Sequence, residues 1–188
     1  MIRILQSFLL ILILISSLSF TFQKDDNKVY WDLNRPLVWA DFKGKPDNST
    51  GNVAFTFSRM DFGYSYISDS ATITLNRFFE KNKSWVKEKG RNDYVLKHEQ
   101  GHFDLTEIFY RKLVKEIQGY KFHAKTFNAE FSKLTNTNSD DLNKEQDLYD
   151  KETNHSIIEP KQKEWNEKIA LQLKEFEPYQ ATKIVVHL

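Results

Sequence analysis

Apolar side chains along this chain recur with two different periods, and the change falls near residue 90. Val53, Phe55 and Phe57 alternate with Ala54, Thr56 and Ser58. Phe62, Tyr64 and Tyr66 repeat the alternation, and Ala71, Ile73 and Leu75 alternate with Thr72, Thr74 and Asn76. A period of two is that of a half-buried strand. Ser68-Asp69-Ser70 supplies a turn, so the three segments predict an antiparallel meander with short connections. Upstream, the stretch from Asp32 to Asp47 is punctuated by Pro36, Gly44 and Pro46 and reads as extended segments and turns.

After Gly90 the period becomes helical. Asn92 or Asp93 is the expected N-cap of a helix that runs through Val95, His98, His102, Leu105, Phe109 and Leu113 towards Gln118. Asn128 to Leu134 is expected to be helical, and Thr135 to Asp141 to be a polar loop. A further helix is expected from Pro160 to Phe176, with Pro160 in its first turn and Trp165, Ile169, Leu173 and Phe176 on one face. Strands first and helices later predict an α+β fold. There is no internal repeat, and no break long enough to be an interdomain linker.

The first nineteen residues follow neither pattern. Arg3 is followed by the apolar run Phe8 to Ile15 and the small residues Ser17 and Ser19, the layout of a secretory signal peptide. Cleavage is expected after Ser19, leaving residues 20–188 as one domain. The rival reading is an uncleaved anchor, but Gln6, Ser7, Ser16, Ser17 and Ser19 dilute a run that needs about twenty apolar residues to span a bilayer. The expected location is therefore secreted or periplasmic, with no stable membrane insertion after cleavage.

Composition then narrows the chemistry. Of 188 residues, 40% are hydrophobic and 14% aromatic, which excludes a disordered chain. Lys and Arg number 27 against 26 Asp and Glu, so the basic excess of a nucleic-acid binder is missing. There is no cysteine, which excludes disulfides, lipid attachment, a catalytic thiol and thiolate metal sites. A metal here must be held by His, Asp or Glu.

His98-Glu99-Gln100-Gly101-His102 supplies such a set. Two histidines four residues apart share one helical face, so both imidazoles reach a single ion. Glu99, about 100° around the helix from His98, can address a water there without ligating. Chance would produce this pattern in roughly one chain of this length in a hundred. Gly101 in mid-helix costs about 1 kcal/mol relative to Ala, so either something packs closely against it or it is simply tolerated.

The third ligand must come from beyond this helix. Ile108, six residues after His102, cannot ligate, Glu107 points away, and Glu116 lies about 21 Å further along the helix. His123 reads as a packing or surface residue, and His187 as a mobile one. His155 ends the polar cluster from Tyr149 to His155, and by spacing alone it stands level with Glu145 and Glu152. Tyr149 is a candidate donor to a developing oxyanion, with a buried structural role as its alternative. Asp104 and Asp150 are candidate partners of the ligating imidazoles, although Asp104 faces away on an ideal helix. Ala71 to Phe79 is the expected substrate-pairing strand, unless it is interior.

The stretch Lys97-His98-Glu99-Gln100-Gly101-His102-Phe103-Asp104-Leu105-Thr106-Glu107 resembles the DUF922 family, a bacterial domain of unknown function whose members are predicted to be secreted zinc-dependent proteases. Leu37 to Pro46, Ser84-Trp85-Val86 and Tyr149 to His155 extend the resemblance, which spans about Trp31 to Ile169. It implies a zincin-like fold in which His98 and His102 bind Zn2+, Glu99 is the general base and His155 is the third ligand. Members carry Gly after that last histidine, whereas this chain has Ser156. The expected function is zinc-dependent hydrolysis of a peptide or protein substrate. The alternative is an exported zinc-containing binding or assembly module without turnover, which has no need of Glu99.

Overall fold

The spine of the fold is one long strand that both chain-terminal strands share. In the computed structural model, which describes residues 25–188, the order is β1 (Lys28–Tyr30), β2 (Ala54–Phe55), β3 (Ser58–Ile67), β4 (Ser70–Glu80), β5 (Trp85–Val86), α1 (Asp93–Gly119), α2 (Phe127–Thr153), α3 (Glu159–Glu175) and β6 (Lys183–His187). The expected signal peptide, residues 1–19, lies outside the described residues. The fold is α+β, with an antiparallel sheet preceding three helices. No helix among the described residues is long and apolar enough to cross a membrane.

β3 pairs along one side of β4, from Ser58 opposite Phe79 to Ile67 opposite Ser70. The other side is divided between β1, opposite Phe78 to Glu80, and β6, opposite Ser70 to Thr74. The segment Ala71 to Phe79 is therefore interior and offers no free edge to a substrate, contrary to the expectation. β2 and β5 form a separate two-stranded ribbon.

The alternation in β4 holds: Ala71, Ile73 and Leu75 are fully buried beneath Tyr110, Leu113, Val114 and Ile117 of α1, with Ile184 and Val186 of β6 alongside. Ile73 and Leu75 each contribute about 1.5–3 kcal/mol on burial. In β2 the pattern is inverted, because Ala54 is buried while Phe55 is 42% exposed and stacks on Trp85. Phe62, Tyr64 and Tyr66 are half-exposed and meet the rings of Phe127 and Phe131 edge-on.

α1 starts where expected, with the Asn92 side chain accepting from the Val95 amide. Its middle, from Leu105 to Arg111, is buried on every face, between the sheet on one side and α2 and α3 on the other, and the polar residues it carries there are paired. The polar loop expected at Thr135 to Asp141 is instead continuous helix within α2. Thr135, Asn138 and Leu142 face α1, and the Thr135 hydroxyl and the Asn138 amide nitrogen find partners across the helix contact or locally. Asn138 donates to the Phe109 carbonyl at 3.0 Å, and Thr135 to that of Phe131. Tertiary contacts here override weak local helix propensity.

The buried charges on α1 fasten the layers. Glu107, fully buried, accepts from Arg77 of β4 at 2.5 Å and from Arg111 at 2.7 Å, and Arg111 also donates to the Leu173 carbonyl of α3. Removing the carboxylate leaves two guanidinium groups without a counter-charge in a low-dielectric setting. Glu107→Ala is expected to lower the unfolding free energy by about 3–5 kcal/mol in urea titrations.

Candidate metal centre

One wall of a cleft of about 240 Å³ is the chain from Asn52 to Ser58, the opposite wall is α2 between Leu142 and Asp150, and α1 forms the floor. His98, Glu99 and His102 lie on that floor. The Nε2 atoms of His98 and His102 are 3.2 Å apart, and Asp150 Oδ1 stands 3.1 Å from the first and 3.0 Å from the second. Among the described residues, these three form the group whose donor atoms all lie within 4.8 Å of one another.

Two glutamines decide which ring nitrogens carry hydrogen. Gln146 Nε2 donates to the His102 carbonyl at 2.9 Å, which turns its oxygen towards His102 Nδ1 at 2.5 Å. Gln162 Nε2 donates to the Tyr149 hydroxyl and to Asn166, which turns its oxygen towards His98 Nδ1 at 2.9 Å. An amide oxygen only accepts, so both Nδ1 atoms are donors and both neutral imidazoles present lone pairs at Nε2. Two nitrogen lone pairs and a carboxylate oxygen thus converge on one point, an arrangement that calls for positive charge between them. Tetrahedral zinc with donors at about 2.0–2.1 Å has donor-to-donor edges of about 3.3 Å, close to the spacing found. The donor set fits the ion.

Protonation answers the same demand for positive charge: an imidazolium at this point, in place of an ion, donates to Asp150 from Nε2. Burial opposes charge on His102, but the hydrogen bond and charge of Asp150 outweigh it and raise its pKa. Burial likewise opposes ionisation of Asp150, and its bonds to His102 and His98 hold its carboxyl well below the usual range.

Asp150, expected as an outer partner, occupies the place of a direct third donor. His155 stands at the edge: its side chain is half-exposed, and its Nδ1 is 3.3 Å from the same Asp150 oxygen. The two carboxylate alternatives are engaged elsewhere, Glu145 with Lys168 and Glu152 with the Trp165 indole. Asp104 turns away from the histidines and accepts from the Trp31 indole and from Gln100. Burial pushes its carboxyl up to about 6 against those two bonds.

Asn154, His155 and Ser156 all have left-handed backbone, with φ of 47°, 51° and 73°. This turn folds His155 back over Asp150, and Ser156 takes at some cost a conformation that Gly adopts freely.

Tyr149 is not placed as an oxyanion donor. It is fully buried, its ring is stacked on His98 at 4.6 Å, and its hydroxyl donates to the His98 carbonyl while accepting from Gln162. Desolvation drives its pKa upward, so the proton stays in place. The mid-helix glycine is explained by the same contact. A Cβ at Gly101 would come within 2.9 Å of Tyr149 Cζ and closer still to its oxygen.

Glu99 is 4% exposed, and its Oε2 has no hydrogen-bond partner among the described residues. Thr56 Oγ1 donates to the Glu99 carbonyl, tying the near wall to the floor. On that wall, Val53 O accepts from Lys87 N and Phe57 O from Glu80 N. Alternation in an antiparallel pair then leaves the N–H and C=O of Ala54 and Thr56 on the unpaired side, along the cleft.

Residues 46–156 match the family described as a bacterial protein of unknown function (DUF922), which is more than half of the chain. The chain belongs to the DUF922 family. No curated protein and no solved structure matches it. Every residue lining the cleft, from Asn52 to Ser156, falls inside the family match, whereas Gln162 lies beyond it.

Gly101→Ala adds about 1 kcal/mol of helix propensity yet is expected to destabilise the protein, because Tyr149 must move. Thermal denaturation should show a net loss of about 1–3 kcal/mol, partly recovered when Tyr149→Phe removes the colliding oxygen.

Proposed function

We propose that the DUF922 chain is a zincin-like metallopeptidase whose zinc is held by His98, His102 and Asp150. The proposal includes export, with residues 1–19 as the signal and the secreted or periplasmic space as the working compartment. Support for the metal comes from the three converging donors and from the two glutamines that hold both histidines in one tautomer. Zinc held by His98, His102 and Asp150 would supply Lewis acidity and make a water beside Glu99 easier to deprotonate.

The observation that carries the hydrolytic reading is the bare Oε2 of Glu99, buried beside the donors. A buried carboxylate oxygen without a partner is costly unless a ligand completes it. A structural zinc centre would close its fourth position with protein and would give such a group no task. Here Glu99 Oε2 takes the proton of an attacking water and passes it to the leaving amine. The free backbone groups of Ala54 and Thr56 hold an extended substrate by strand addition, taking the part first expected of β4. Tyr149 acts from behind, by seating the ring of His98 and the start of the helical turn that bears His102.

Two measurements test this. Zinc titration should show one ion per chain, with affinity reduced at least about 100-fold in His102→Ala and Asp150→Ala. It should fall by about 10–100-fold in Gln146→Leu, which frees the His102 tautomer. Zinc binding unaltered by Asp150→Ala would refute the donor set. Separately, Glu99→Gln should keep the zinc and lose peptide-bond hydrolysis by a factor of about 10³ or more, read with a broad peptide library and mass spectrometry. Equal behaviour of the two proteins would leave a zinc module without turnover.

A further inference from the structure

The cleft carries an imbalance that the donor set does not use. Its lining includes the acids Glu99, Asp147 and Asp150 and no lysine or arginine, in a chain with 27 such residues. Glu99 and Asp150 are accounted for by proton transfer and by the metal. Asp147 is accounted for by neither. It lies one helical turn before Asp150 on α2, on the wall facing Ala54 and Thr56, and its side chain is exposed to the cleft. On the same helix Asp141 is neutralised by Lys144 and Glu145 by Lys168, whereas Asp147, which unlike the other unpaired acids Asp140 and Glu152 lines the cleft beside Glu99 and Asp150, pairs with no cation among the described residues. Lys151, one turn further on, does not line the cleft.

Charges balance except at this residue. Two neutral histidines and one carboxylate leave a divalent ion with one net positive charge, and Glu99 cancels it. Asp147 then sets the sign of the potential met by whatever lies against the open edge of β2. Residues at i and i+3 on a helix are about 5–6 Å apart at Cβ, and an extended peptide advances about 3.3 Å per residue. A side chain that reaches Asp147 therefore belongs to a residue within about two positions of the bond presented to Glu99. The bare, buried Oε2 of Glu99 independently marks this cleft as a place completed by a ligand.

We infer that Asp147 is a specificity-determining residue that selects extended peptides with a lysine or arginine within two residues of the scissile bond. This rests on the peptidase reading of the same cleft. Opposite charges across a partly desolvated contact favour the right partner and penalise the wrong one, so exchanging Lys for Glu in the peptide changes both terms.

The test uses the zinc-loaded Glu99→Gln protein, which binds without cleaving, and fluorescent peptides that differ only in Lys or Glu at positions flanking one bond. Fluorescence anisotropy should show the Lys peptide bound about tenfold more tightly at low salt, with the difference shrinking at high salt. In the Glu99→Gln background, Asp147→Asn should erase the preference and Asp147→Lys should reverse it. A preference that survives both substitutions, or no binding of either peptide, overturns the inference. Cleavage by the otherwise unaltered protein is followed in parallel on the same peptides. Charge-selective binding without cleavage would sink the peptidase reading and keep Asp147, and cleavage indifferent to residue 147 would do the reverse.

Discussion

A missing methyl group holds the centre of this molecule together. Residue 101 is glycine, and only because it lacks a Cβ can the Tyr149 ring lie against α1 and its hydroxyl reach the His98 carbonyl. That contact seats α2 against α1 beside the histidines. Asp150 follows Tyr149 in sequence and is carried with it, so the approach of two backbones becomes the approach of a carboxylate to two imidazoles. Gln146, one turn earlier, and Gln162, on α3, complete the ring of contacts. Helix packing and donor placement are one event here.

A second constraint follows from burying α1 on all sides. A helix surrounded by protein must satisfy every polar group it carries, and α1 carries many. Glu107 is matched by Arg77 and Arg111, Asp104 by Trp31 and Gln100, and Thr106 by Ser58. Against this careful pairing the exceptions acquire meaning. Glu99 Oε2 has no partner, and three acceptors at His98, His102 and Asp150 point at one another. Both exceptions open onto the same cleft.

Legibility from sequence followed the strength of the local signal. Ile73 and Leu75 in β4 are plain because burial on one face writes a period of two, and α1 is plain because Asn92 caps it and Val95, Leu105, Phe109 and Leu113 recur at helical spacing. The histidines and Glu99 were plain because their spacing is a property of one helix. Asp150 reads as an outer partner because its role depends on α2 continuing through Thr135 and Asn138, residues that read as loop until the carbonyls of Phe131 and Phe109 accept their hydrogen bonds. With the helix broken there, nothing places Gln146, Tyr149 and Asp150 on one face. Phe55 misled for the opposite reason: its partner is Trp85 on a small ribbon, not the main core.

The sharing of β4 between β1 and β6 bears on how the protein comes into being. β6 follows all three helices in the chain, yet its Ile184 and Val186 belong to the cluster that includes Ile73 and the middle of α1. During synthesis, the Ser70 to Thr74 stretch of β4 stays without its neighbour on that side until α1, α2 and α3 have been made. Such long-range closure is slow, and the unpaired stretch from Ser70 to Thr74 is a sticky edge in the meantime. The domain therefore gains its last described strand late, and the order of synthesis sets the order in which this side of the sheet closes.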